Sequence, residues 1–182
     1  SGDDICFPKR IEEELKYVET YNQKIVFAIP QLINDKGENL SNEMEKVFFT
    51  HNPKGKDETL RELLDDGNFY TSPTAFIKRE LIDEEDVFKP SLLQLQDFDL
   101  WLRLAKNDDL SIMQTKLIKY RIHADNLSKK GKSGRIIFEM QLIYDDFLNH
   151  CDWKLLHKIY PDNISLAAKD NEIMLEIEKA LL

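Results

Sequence analysis

Gln96-Asp97-Phe98-Asp99-Leu100-Trp101-Leu102-Arg103-Leu104 joins two carboxylates to an apolar face at helical spacing. Leu100, Trp101, Leu104 and Ala105 fall on one side of a helix predicted over residues 97–106. Asp97 stands where a carboxylate commonly caps the first turn, and Asp99 fits the same structural role. Trp101 reads as core and Arg103 as a surface or ion-pairing residue. Alone, these residues describe a capped, partly buried helix and no chemistry.

Downstream, Ile112, Leu117, Ile118, Tyr120 and Ile122 alternate with polar residues, which predicts one or two strands over 110–122. Upstream, Ile11, Leu15 and Val18 recur at helical spacing, and Pro8 lies near the first turn, where its missing N–H costs nothing. Residues 24–29 read as a buried strand, followed by the turn Asn34-Asp35-Lys36-Gly37-Glu38. Residues 51–56 read as a loop. A short helix over 57–64 stops near Gly67, and 78–82 fit a helical turn. Asp83-Glu84-Glu85-Asp86 reads as a solvated run. Residues 124–134 are polar and basic, and helices are predicted over 135–150, 152–160 and 164–182. The expected class is α+β (mixed α/β), with a small mixed sheet in residues 1–130 and a helical extension in 131–182.

Composition narrows the function. Twenty-five basic and 34 acidic residues give a net charge of −9, which disfavours a general nucleic-acid or anionic-membrane binder. Lys129, Lys130, Lys132 and Arg135 are the best local basic patch. Two isolated cysteines, Cys6 and Cys151, form neither a disulfide framework nor a metal spacing and read as reduced thiols. No stretch approaches the ~20 apolar residues of a membrane span, and the opening residues do not read as a signal peptide. There is no Gly-rich dinucleotide turn, nucleophile elbow or zinc-type cluster. Gly131-Lys132-Ser133 lacks the upstream glycine and strand of a P-loop.

Two further candidates stand apart from the helix. Asp3-Asp4 could hold a divalent cation through hard oxygen ligands, or simply favour a helix N-terminus. His123, between a strand and a polar loop, is by default structural.

Taken in order over residues 3–128, these segments resemble the family 2 glycosyltransferases with a GT-A fold. Asp3-Asp4-Ile5-Cys6-Phe7-Pro8-Lys9-Arg10-Ile11-Glu12 resembles the family's Asp-x-Asp-Asp segment and the Pro-x-Arg-x-Glu helix behind it. Ile33 to Glu38 resembles the following strand-turn. Gly67-Asn68, Pro73-Thr74 and Lys78-Arg79 resemble the acceptor-side stretch. Gln96 to Leu104 resembles the Glu-Asp-Tyr-Asp-Leu-Trp-Leu-Arg segment, and Tyr120-Arg121-Ile122-His123 with Asn126-Leu127-Ser128 the strand and loop that close the site.

The resemblance implies roles. Asp3 and Asp4 would sit at a divalent cation, Mg2+ or Mn2+, that holds the diphosphate of a nucleotide-sugar donor, a UDP- or dTDP-sugar. His123 would complete that site. Asp97 would be the general base that deprotonates the acceptor, with inversion at the anomeric carbon. Gln96, Asp99, Trp101 and Arg103 would support the helix or the substrate. The implied acceptor is a glycan, a lipid-linked sugar or a protein, in cell-surface polysaccharide synthesis. The implied location is the cytoplasm, or the inner face of the membrane as a peripheral protein. Two residues depart from the pattern. Ser1 stands where many relatives have the first Asp of Asp-x-Asp, and Gln96 replaces the usual Glu. The resemblance also implies that an N-terminal nucleotide-binding half is missing and that the 182 residues alone are inactive. A non-catalytic helical interaction domain and a degenerate transferase are the alternatives.

Overall fold

The computed structural model describes residues 2–41, 53–82, 87–123 and 134–182. The predicted charge run at 83–86, the 124–133 part of the basic loop, Asn126-Leu127-Ser128, the candidate cations Lys129, Lys130 and Lys132, and Ser1 lie outside the described residues.

Four strands form one mixed sheet: β1 (Ile5–Cys6), β2 (Ile25–Ile33), β3 (Phe76–Ile77) and β4 (Leu110–Arg121), in the order β1-β4-β2-β3. The central pair β2 and β4 is parallel, and both edges pair antiparallel. Central parallel strands are covered on both faces, which is why Ile25-Val26-Phe27-Ala28 is a continuous apolar run. Alternation sends Ile25 and Phe27 to one core and Val26 and Ala28 to another. The register slips at Ala28/Ile29 and again at Ile29/Pro30. Pro30 has no N–H to give the ladder, and β4 bulges there. That bulge is the physical origin of the sequence reading of one or two strands; β4 is one strand.

Among the described residues, six helices pack around the sheet: α1 (Arg10–Tyr21), α2 (Lys56–Asp66), α3 (Gln96–Ala105), α4 (Gly134–Asn149), α5 (Trp153–Ile159) and α6 (Glu172–Lys179). Helix α1 turns inward only one edge of the apolar face its spacing suggests, the edge that carries Val18. Glu14 and Val18 are buried, whereas Ile11 is 62% and Leu15 46% exposed. The buried carboxylate of Glu14 is matched by Arg10, with Nε 3.0 Å from Oε1. Helix α2 buries Leu60 and Leu63 and ends at Gly67, whose φ of 83° only glycine adopts without strain.

Helix α3 lies inside the larger core. Phe98, Asp99, Leu100, Trp101, Leu102 and Ala105 are all buried, so the single apolar face expected from spacing is too narrow. The helix is covered twice: Trp101 meets Phe27 of the sheet edge-on at 4.9 Å, and Phe98 meets Tyr144 of α4 at 6.0 Å. Ile143, Phe147, Leu156 and Ile159 from the C-terminal helices join the same core as α3. The stretch 164–182 is not one helix. It forms a 3-10 turn at Leu166–Ala168 and then α6, whose start is capped by Asn171 accepting the Met174 N–H. An asparagine cap requires non-helical backbone, which interrupts the run.

The topology sets up one functional edge. Because β2 and β4 are parallel, both end at the same side of the sheet. Helix α3 returns into β4 through a tight turn at residues 106–109, so α3 runs against β4 and its N-terminus points back toward that side. Open parallel sheets place ligands at the carboxyl ends of their strands.

Candidate active site

Pairing of Ile5 with Lys119 lays the N-terminal segment against the end of β4. Asp4 Oδ1 accepts the Arg121 backbone N–H at 2.9 Å. Arg121 donates Nε to the Asp3 carbonyl at 3.1 Å, and its NH1 reaches the carbonyls of Asn34 at 2.8 Å and Asp35 at 2.9 Å. One guanidinium therefore ties together the N-terminal segment, the end of β4 and the turn after β2. That turn is self-locked, since Asn34 Oδ1 accepts the backbone N–H groups of Lys36 and Glu38, each at 3.0 Å. Beside this clamp, His123 Nε2 lies 2.9 Å from Asp3 Oδ2.

Asp97 sits in the first turn of α3 and is half-buried. Its Oδ1 accepts the Phe98 N–H at 2.8 Å. Its Oδ2 accepts from Asn68 Nδ2 at 3.2 Å and from the Ser72 hydroxyl. Ser72 opens a 3-10 turn, Ser72–Thr74, that leads into β3 on the β2 side of the sheet. The side chain is thus fixed from three directions by neutral donors; Oδ2 already accepts two of them, and Oδ1, with one, has a further acceptor direction to offer. Gln96 does not touch Asp97 through its amide; Nε2 donates to the Leu92 carbonyl at 2.5 Å.

The supporting residues are internal. Asp99 receives Lys89 Nζ at 2.7 Å and Arg103 Nε at 2.8 Å, and Arg103 also donates to the Val87 carbonyl at 2.7 Å. Lys89 reaches on to Asp146 of α4 at 2.7 Å. Burial favours the neutral amine of Lys89, but the Asp146 and Asp99 carboxylates outweigh it and hold the ammonium above the ordinary lysine value. Trp101 is core, 3% exposed, and no hydrogen-bond partner meets its indole N–H.

Asp3, Asp4 and His123, far apart in sequence, are brought to one place, and Asp97 is placed at the start of α3, which points toward the same side of the sheet. Spacing did not single out Asn68, Ser72, Lys89, Arg121, Glu139 or Asp146 as partners. Asn68 and Arg121 fall inside quoted motifs, Gly67-Asn68 and Tyr120-Arg121-Ile122-His123, which do not name their partners; the rest carry no local signal. Among the described residues, no three His, Cys, Asp or Glu side chains gather as a closed cation cage. Asp3 and His123 offer two ligands side by side. A Mg2+-type ion commonly takes one or two carboxylates and fills its shell with other oxygen ligands and water, so these side chains are chemically compatible with such an ion. The polar cleft near Lys24, Lys56 and Asp108 lies at the opposite end of the sheet, where β2 and β4 begin.

The backbone matches that of S. aureus TarS, solved in complex with UDP-GlcNAc, at a TM-score of 0.55 and 12% identity, over 97% of this chain and 53% of that one. The fold is glycosyltransferase-like. Sequence relatives point the same way. An uncharacterized glycosyltransferase of Methanocaldococcus jannaschii is 27% identical over 74% of this chain and 45% of its own length. The O-antigen biosynthesis glycosyltransferase WbnJ of Escherichia coli is 27% identical over 71% of this chain and 48% of its own. An uncharacterized glycosyltransferase of Rickettsia felis is 26% identical over 82% of this chain and 24% of its own. The chain thus spans less than half the length of these relatives. No protein-family model matches it. Among the described residues, no helix is long and apolar enough to cross a membrane.

Proposed function

We propose that this chain is the acceptor-side part of an inverting, family 2, GT-A glycosyltransferase that moves a sugar from a UDP- or dTDP-sugar to a glycan, lipid-linked or protein acceptor. Relatives named as glycosyltransferases support the class, and the name of WbnJ supports a surface-polysaccharide setting. The observation that carries the reading is Asp97: a half-buried carboxylate at a helix start, aimed by Phe98, Asn68 and Ser72.

In this reading Asp97 accepts the proton of the acceptor hydroxyl. The hydroxyl oxygen attacks the anomeric carbon opposite the diphosphate, the bond to the diphosphate oxygen breaks with its electron pair, and configuration inverts. Asn68 and Ser72 keep the base in one rotamer, so little orientation is lost on reaching the transition state. Asp3 and His123, with Asp4 beside them on the Arg121 N–H, are the residues that would hold Mg2+ or Mn2+, which would supply charge neutralisation at the leaving diphosphate. Arg121 holds the Asp3-Asp4 segment in place.

The test is Asp97→Asn in the full-length protein, with transfer and donor binding measured separately. Turnover should fall by about 10²-fold or more while donor affinity is retained. Undiminished turnover rejects Asp97 as the base.

A further inference from the structure

Glu139 lies on α4, outside every motif of the site, and is fully buried. A buried carboxylate requires partners, and Glu139 has four. Its Oε1 accepts the Leu93 N–H at 3.0 Å and Arg135 Nε at 2.6 Å. Its Oε2 accepts the N–H groups of Gln94 at 2.9 Å and Leu95 at 3.0 Å. Three successive backbone N–H groups form an anion cradle, and the anion is supplied by a side chain 44 residues away from Leu95.

The cradle stands where α3 begins. Leu95 is the N-cap of α3 and its side chain makes no capping bond. A leucine side chain cannot accept from a backbone amide, so the helix that bears Asp97 lacks a side-chain cap at its N-cap position. Glu139 holds that entry from another helix, two residues before Asp97. Burial favours the neutral acid, but the three amides and Arg135 outweigh it and hold the carboxyl below the usual glutamate range.

We infer that Glu139 is a positioning residue for the transfer reaction, acting through the backbone of residues 93–95 to set where Asp97 stands. This rests on the reading of Asp97 as the base. The α4 helix, which looked like an appendage in sequence, then belongs to the catalytic apparatus. A backbone shift of about 1 Å at a base can cost on the order of 10²-fold in rate without weakening substrate binding.

The experiment compares Glu139→Gln, Arg135→Gln and Asp97→Asn in the full-length protein, with kcat taken per folded molecule and KM for donor and acceptor measured alongside. Glu139→Gln puts an amide against backbone N–H groups, and kcat should fall by about 10-fold or more with both KM values within about 3-fold. Arg135 is half exposed at its side chain, and its replacement leaves the three backbone N–H groups on Glu139. Arg135→Gln removes one of the four donors and should lower kcat by about 3-fold. A normal kcat in Glu139→Gln overturns the inference, as does a loss that only tracks the unfolded fraction. Should Glu139→Gln not fold, a normal kcat in Arg135→Gln overturns it. If Asp97→Asn abolishes transfer while the other two variants are normal, the base stands and the positioning role falls. If Asp97→Asn retains turnover, the base reading falls, and with it any action of Glu139 through Asp97.

Discussion

His123 Nε2 lies 2.9 Å from Asp3 Oδ2, across 120 residues of sequence. The contact is made by strand pairing: β1 runs against β4 with Cys6 opposite Ile118, so the residues flanking both strands meet beyond their ends. Arg121 reinforces it by holding the Asp3 carbonyl and the turn after β2.

If this pair supplies two ligands of a diphosphate-bridging ion, losing either should weaken the ion more than the acceptor. In the full-length protein, Asp3→Asn and His123→Ala should each raise the Mn2+ concentration for half-maximal transfer by about 10-fold or more. The acceptor KM should hold. The same half-saturating Mn2+ in both variants removes this pair from the cation site.

Asp99 and Trp101 are expected to separate stability from recognition. The Asp99 side chain is 3% exposed between Lys89 and Arg103, whose side chains are about a third exposed. Asp99→Ala takes one partner from each cation but leaves Lys89 with Asp146 and Arg103 with the Val87 carbonyl, and solvent at both moderates the penalty further, so the loss should be about 2 kcal/mol in urea unfolding. Trp101→Phe loses no hydrogen bond, because the indole N–H has none. Its cost is only reduced volume, about 1 kcal/mol, with acceptor KM unchanged. A raised acceptor KM in Trp101→Phe would mean that the ring contacts sugar, against its place in the core.

The Glu139 cradle should also appear in acid stability. The folded carboxyl binds its proton less tightly than the unfolded one, since the amides and Arg135 hold it low against the effect of burial. Its contribution is present above the unfolded glutamate value, about 4.3, and lost as pH falls below that toward the folded value. Asp146 acts in the same sense, held low mainly by the Lys89 hydrogen bond. Glu14 acts in the opposite sense, because burial outweighs Arg10 and pushes its carboxyl up. The informative quantity is therefore a difference between proteins. Between about pH 5 and about pH 3, the wild-type chain should lose more stability than Glu139→Gln. Parallel curves would show that the cradle does not bind the charged carboxylate more strongly than water does.

Much of the fold was legible because its signals are local. The apolar run of β2, the turn at Asn34 and the stop of α2 at Gly67 were read from spacing and turn chemistry. The failures were cases where packing overrode pattern. Ile11 and Leu15 look like a core face, yet α1 presents Glu14 and Val18 to the sheet. Helix α3 looks one-sided, yet it is covered by the sheet on one side and α4 on the other. At the site, Asp3, Asp4, His123 and Asp97 were marked by motif order, whereas Ser72, Arg121 and Glu139 carry no motif that names their partner.

The sequence by itself determined the kinds of elements and the order of the carboxylates, because helix and strand periodicity and turn chemistry act over a few residues. The tertiary structure alone decided which charges meet. His123 with Asp3, Ser72 with Asp97 and Glu139 with the amides of residues 93–95 are contacts of 25 to 120 residues' separation. They exist because strand register and helix packing bring those polar groups within reach of one another. No local pattern encodes that choice.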